Sequence, residues 1–206
     1  EKSFPKINQF IIEIVLLYFG LTLFCCLLYY IYGMSGFDSI LHSMTTISTG
    51  GFSNHNSSFN HFNSQSLELV SIVFMIIGSL PFVVYLHFIH GEKKSLFNDD
   101  QIKLFFILLI VSIFLMIIWL YFILENDLVL SARFAFFNIT SILTGTGYTS
   151  VDYSIWGGFA SIIMIFIMFI GGCAGSTTCG IKIFRVQILY LFLKNQLKKI
   201  IYPRGI

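Results

Sequence analysis

Two short stretches carry residue types suited to handling a cation: Ser48-Thr49-Gly50-Gly51-Phe52-Ser53 and Thr144-Gly145-Thr146-Gly147-Tyr148-Thr149. Moving the first by 96 positions, the difference between 51 and 147, sets Gly51 on Gly147, Phe52 on Tyr148, Ser53 on Thr149 and Ser48 on Thr144. A cation entering a pore loses hydration water, and rings of backbone carbonyls can replace it. The backbone must then be extended with its carbonyls turned inward, which glycine permits because it tolerates positive φ. Gly51 and Gly147 are the key candidates, and the carbonyls of Ser48, Thr49, Gly50, Thr144, Gly145 and Thr146 would line the same path. One such loop alone reads as a tight turn between helices; two in register favour an ion filter. Phe52 and Tyr148 are expected to wedge behind the loops and set their width. Neither loop holds a fixed carboxylate. Asp38 and Asp152 fall at the outer approach, as helix-cap or turn residues or as groups that concentrate cations there.

The elements that must position these loops are apolar. The 206 residues are 56% hydrophobic and 11% charged, with a mean hydropathy of +0.85, whereas soluble domains carry about 25% charged residues. This is the composition of an integral membrane protein. Crossing a bilayer takes about 20 mostly apolar residues, and four runs qualify: residues 7–32, 67–90, 101–124 and 157–193, the last interrupted at 171–180. Pro81 is expected to kink the second run. Residues 37–47 and 130–143 are too short and polar to span and fit re-entrant pore helices whose C-terminal dipole ends face the cation. Filter loops 48–53 and 144–149 follow them. The unit of span, pore helix, loop and span therefore occurs twice, in residues 1–92 and 93–206, and internal repeats of this kind mark channels and transporters. Residues 54–66, without Lys or Arg, are expected to form an exposed outer loop, and Trp156 to sit at headgroup level.

Lys2, Lys6, Lys93, Lys94, Lys103, Lys182, Arg185, Lys194, Lys198, Lys199 and Arg204 fall on one side of the membrane, and Arg133 alone on the loop side. The positive-inside rule then puts both termini of this piece in the cytoplasm and opens the loops outward. With no basic-then-apolar leader at its start, the chain is expected to be a piece of something longer. The four cysteines lack zinc-ligand spacing and read as small apolar fillers. His87 and His90 read as an interfacial polar cap. Ser79, Ser112 and Ser176 have no His or Asp partner at their depth, so an intramembrane enzyme is disfavoured.

Residues 171–180 are Gly, Ser, Thr, Cys and Ala throughout and cannot make a good helix. Irregular backbone at membrane depth is tolerated only where protein or water satisfies it. A flexible loop of Gly171, Gly172, Gly175, Ser176, Thr177 and Gly180 is expected just inside the filter as a gate; close packing through small residues is the alternative. Lys182 and Arg185 would stand at the inner mouth.

These motifs resemble a known family. Thr45-Thr46-Ile47-Ser48-Thr49-Gly50-Gly51-Phe52-Ser53 resembles the second filter strand of the Trk/Ktr/HKT potassium transporters, and Thr144–Thr149 followed by Asp152-Tyr153 resembles the third. Met168 to Thr177, continuing to Gly180-Ile181-Lys182, closely resembles the broken third-repeat helix of bacterial TrkH/TrkG-like membrane subunits. The resemblance runs through nearly the whole chain. It implies four membrane–pore–membrane repeats around one pore, each giving one filter strand with one characteristic glycine, here Gly51 and Gly147. It also implies a homodimer and a cytosolic TrkA-like nucleotide-binding regulatory subunit. Only the middle two repeats are present, so the first and fourth must come from the same protein or from a second chain. The expectation is an all-α membrane protein, half of a pseudo-fourfold assembly, taking up potassium across the bacterial inner membrane. Potassium is then the transported ligand, with no cofactor and no nucleic-acid partner. A sodium-permeable member of the family and a non-conducting scaffold are the alternatives.

Overall fold

The computed structural model describes residues 4–91, 99–123 and 127–201. Lys2, Lys93, Lys94, Glu125, Asn126 and Arg204 lie outside the described residues, as does the Lys6 side chain. The described helices are α1 Phe4–Ile31, α2 Gly36–Ile47, α3 Gln65–Ser79, α4 Phe82–Ile89, α5 Asp100–Ile123, α6 Leu128–Leu143, α7 Gly157–Phe169 and α8 Ile183–Ile201. Two of them, Ile7–Ile31 within α1 and Asp100–Ile123, are continuous, long and apolar enough to cross a membrane. At about 1.5 Å per residue each exceeds the hydrocarbon thickness of about 30 Å. Their outward faces expose large side chains such as Leu16, Phe19, Leu23, Ile110 and Phe114, as lipid contact requires.

The two short helices start at polar caps. Ser35 Oγ accepts the Asp38 N–H at α2, and Asp127 Oδ1 accepts the Leu130 N–H at α6. The second cap explains why α6 begins at Leu128, two residues before the position expected from hydropathy. Helix α2 packs chiefly on α1 and α6 on α5, while the two repeats meet through α3 and α6. Each repeat also enters the other's core. Phe137 and Tyr148 fill the first repeat's cluster around Tyr29, Ile47 and Phe74, and Leu80 and Val84 join the second repeat's cluster around Phe105, Met116 and Trp156.

The expected span over residues 67–90 differs from a kinked helix. It is broken into α3 and α4, which turn by 92°. Leu80 and Pro81 are extended, and Pro81 has no N–H to continue the ladder. The freed groups find partners in the break of the other span. Gly78 O accepts from Thr177 N at 3.2 Å, Ser79 O from Cys173 N at 3.0 Å, and Phe82 N donates to Gly175 O at 3.0 Å. The second break runs from Phe169 to Ile183, wider than residues 171–180. Its neck is closed where Gly171 N meets Ile181 O at 2.9 Å and Ile181 N meets Phe169 O at 3.0 Å. The 54–66 loop is mostly exposed, as expected, with Phe59 alone among its residues buried against the protein. Trp156 is fully buried, its carbonyl accepting Trp119 Nε1 at 2.8 Å.

Candidate functional site

Both short helices end the same way. Ser48 and Thr144 are their C-caps, and each next residue turns left-handed: Thr49 at φ 50° and Gly145 at φ 70°. The second glycine of each loop turns left-handed again, Gly51 at φ 65° and Gly147 at φ 85°. Three loop hydrogen bonds recur 96 residues apart. Ser48 N to Met44 O matches Thr144 N to Thr140 O, Thr49 N to Thr46 O matches Gly145 N to Ile142 O, and Gly51 N to Thr45 O matches Gly147 N to Ser141 O. A hydroxyl on each helix then hooks the departing strand: Thr45 Oγ1 donates to Phe52 O at 3.0 Å and Ser141 Oγ to Tyr148 O at 2.7 Å.

Alternating handedness leaves carbonyls without partners. Among the described residues, no hydrogen bond is made to the carbonyls of Thr49, Gly50, Gly51, Thr144, Thr146 or Gly147. Of the expected set, Ser48 O accepts from Thr49 Oγ1 at 2.8 Å, and Gly145 O lies 3.7 Å from Cys179 Sγ. Paired carbonyls are the rule in buried backbone, and Thr49, Thr144 and Thr146 are buried while Gly50 and Gly147 are exposed; the six unpaired oxygens lie on two adjoining loops and are available to ligate a cation. The loops touch: a methyl group at Gly51 would come within 1.7 Å of Thr146 O and 3.4 Å of Gly147 N. At Gly147 no atom lies within 4 Å of such a methyl, so there the left-handed backbone alone calls for glycine.

The break between α7 and α8 lies against the beginnings of both loops. Thr177 Oγ1 donates to Ile47 O at 2.8 Å, the last carbonyl of α2, and Thr49 Oγ1 lies 3.5 Å from it. Cys179, expected as a buried filler, is instead exposed beside Gly145. The break is tied rather than slack. Gly172 N donates to Thr178 Oγ1, Ala174 N to Gln101 Oε1, and Ser176 Oγ to Cys173 O. A side chain at Gly171 would strike Cys179 O at 1.9 Å, and Gly175 and Gly180 are left-handed. Lys182 turns back on this segment, its ammonium donating to Thr178 O and to Thr178 Oγ1. Arg185, in the first turn of α8, is exposed.

The expected pair of wedges splits. Tyr148 is buried, with its ring 4.6 Å from Phe59, but Phe52 is 77% exposed and wedges nothing. Asp38 and Asp152 serve as structural anions. Asn54 donates to Asp38 Oδ1 at 2.6 Å and Ser35 to Oδ2 at 2.8 Å, which holds the carboxyl below the usual carboxylate range. Asp152 caps a turn through Ser154 N at 2.9 Å, and hydrogen bonding from Ser154 likewise lowers it. Sequence reasoning missed the partner of Arg133. Its guanidinium grips the Glu68 carboxylate with two bonds of 2.8 and 2.9 Å, joining α6 to α3 across the repeats. The available signal was two opposite charges, each in the first half of an apolar helix.

The family model of TrkH, described as a cation transport protein, matches residues 1–206. The chain is 37% identical to the Trk system potassium uptake protein TrkI of Halomonas elongata, over all of this chain and 42% of that protein. It is 31% identical to the Trk system potassium uptake protein TrkH of Vibrio parahaemolyticus, over all of this chain and 43% of that one. The crystal structure of the potassium transporter TrkH from Vibrio parahaemolyticus superposes with a TM-score of 0.91 at 30% identity, over 98% of this chain and 44% of that chain. The chain thus spans less than half the length of the curated relatives it matches. It belongs to the TrkH family of cation transport proteins.

Proposed function

We propose that this chain supplies two of the strands of a potassium selectivity filter and that the whole protein takes up potassium across the bacterial inner membrane. The observation that carries the reading is the pair of glycine loops, in contact at Gly51 and Thr146, with six carbonyls that accept no hydrogen bond. Left-handed turns at Thr49, Gly51, Gly145 and Gly147 prevent those oxygens from joining a helix ladder, leaving a bare cation as the ligand they suit. The relatives' names point to potassium, and the family is one of transporters and not of enzymes.

On this reading the segment from Gly171 to Gly180 is the gate, because it occupies the inner side of the loops. The excess of Lys and Arg on one side puts the loops outside and both ends of this piece in the cytoplasm. The first and fourth strands come from repeats beyond these residues. The working unit is a homodimer controlled by a TrkA-like nucleotide-binding ring.

The test is cation flux through the whole gene product reconstituted in vesicles, with Gly51→Ser and Gly147→Ser made separately. Potassium and rubidium are expected to pass in preference to sodium, and each serine to erode that preference. A sodium preference in the unaltered protein overturns the potassium assignment. No flux through correctly folded protein identifies a scaffold. Unaltered selectivity in both variants overturns the filter.

A further inference from the structure

Tyr148 follows Gly147 on the second loop, but its side chain belongs to the first repeat. The ring is almost wholly buried and packs on Phe59, and its hydroxyl ends among polar atoms of α2, more than a hundred residues away in the chain. Thr45 Oγ1 is 2.5 Å from it, His42 O 3.2 Å and Thr46 Oγ1 3.3 Å.

Proton counting orients the cluster. Thr46 donates to His42 O at 2.6 Å, and its oxygen faces the Tyr29 hydroxyl at 2.9 Å. Thr45 Oγ1 has one proton, with Phe52 O at 3.0 Å, Leu41 O at 3.1 Å and His42 O at 3.3 Å as carbonyl acceptors and Phe52 O the nearest, and the Thr45 carbonyl meanwhile holds Gly50 N and Gly51 N. With that proton on any of the three carbonyls, the short contact is a donation from Tyr148 into Thr45 Oγ1. A continuous path results, from Gly147 through the Tyr148 ring to Thr45 and on to the carbonyl beyond Gly51. Two hydroxyls join two strands that belong to different repeats.

We propose that Tyr148 and Thr45 form a strut that sets the spacing of the two filter strands, making Tyr148 a positioning residue for ion discrimination. The proposal rests on the filter reading above. A rigid strut matters because the two backbones meet at Gly51 and Thr146, while the second strand's other ties to the first repeat, Asn60 N to Thr149 O at 3.1 Å and Thr149 N to Ser58 Oγ at 3.3 Å, reach the 54–66 loop and not the first strand. Phe52, the matching residue of the first loop, has no hydroxyl and is exposed, so within these residues the strut runs one way, from the second strand to the first. Removing the hydroxyl while keeping the ring preserves the buried volume and frees the spacing. A smaller ion is then accommodated better than before.

The experiment compares the whole reconstituted protein with Tyr148→Phe, Thr45→Val and Thr45→Ser, reading the potassium-to-sodium flux ratio alongside thermal unfolding. Tyr148→Phe and Thr45→Val are each expected to lower the ratio several-fold, up to about tenfold, the scale of one lost buried hydrogen bond. Combining them should do no more than either alone. Thr45→Ser keeps the hydroxyl and should restore the ratio. A falling melting point with an unchanged ratio would show that the contact only stabilises the fold, and the strut is then wrong. Gly51→Ser measured in parallel separates the two failures: if it erodes selectivity while Tyr148→Phe does not, the strut alone falls; if neither does, the filter reading falls with it.

Discussion

Thr45 and Ser141 stand 96 residues apart, each on the last turn of a pore helix, and each hooks the carbonyl of the residue after a left-handed glycine. Around that shared device the repeats diverge. The Thr45 hydroxyl also receives Tyr148 from the other repeat, whereas Ser141 serves its own strand and is fully buried. Gly51 is pressed against the neighbouring strand, while Gly147 faces open space. The lesson is that a duplicated local geometry fixes how each loop is bent, and contacts between the copies fix how far apart the loops stand.

The comparison breaks most sharply at the glycines. Gly51→Ala should erode the potassium-over-sodium preference most, because its methyl would fall 1.7 Å from a backbone oxygen that no rotamer change can move away. Gly147→Ala should retain part of it, since only left-handed strain of about 1–2 kcal/mol opposes it. Equal losses of that preference in vesicle flux through the two variants would remove the distinction. Next in size is the link between repeats. Arg133→Leu leaves Glu68 charged and buried without a partner, a loss of about 3–5 kcal/mol that thermal unfolding in detergent should register. Adding Glu68→Leu should recover most of that loss.

The hooks themselves should separate two readouts. Ser141→Ala orphans the Tyr148 carbonyl in a sealed site and should cost about 1–3 kcal/mol of stability. Thr45→Val should cost less, about 1 kcal/mol, because Tyr148 can turn its proton to His42 O, 3.2 Å away. For ion selectivity the order should reverse. The smallest effect concerns acid. The Asp38 carboxyl is depressed in the folded protein, chiefly by Asn54, so its contribution is complete above the unfolded value of about 3.9 and disappears as pH falls through the folded value. Asn54→Ala should let that value climb toward the unfolded one, so the contribution at neutral pH shrinks and less is left to lose in acid. Melting points taken from about pH 3 to about pH 7 would reveal this as a difference from the unaltered protein that is small near neutrality and closes as pH falls.

Much of this was legible in the chain. Gly and Thr at matched spacing marked both loops, shortness and polarity marked the pore helices, and ten small residues marked the intramembrane break. The 92° turn after Ser79 was not legible. A single proline in an apolar run implies a kink; how far the chain then turns depends on Cys173, Gly175 and Thr177, almost a hundred residues later. Nor could sequence tell Phe52 from Tyr148, since both are aromatic residues after a loop glycine. Their burial depends on which element stands beside them: α2 and Phe59 receive Tyr148, and no described element covers Phe52. Arg133 looked like a stray positive charge because its carboxylate partner opens a helix in the other repeat.

The shared hydrogen bonds of the two breaks bear on how such a chain is made. When the first repeat enters the bilayer, the carbonyls of Gly78 and Ser79 have no donor, because Thr177 and Cys173 have not yet been synthesised. Oil offers them nothing, and each unmet group costs several kcal/mol there. The nascent protein must therefore keep that section wet, shielded by the insertion machinery or held as an ordinary helix, until the later half arrives and the two fractures close on each other.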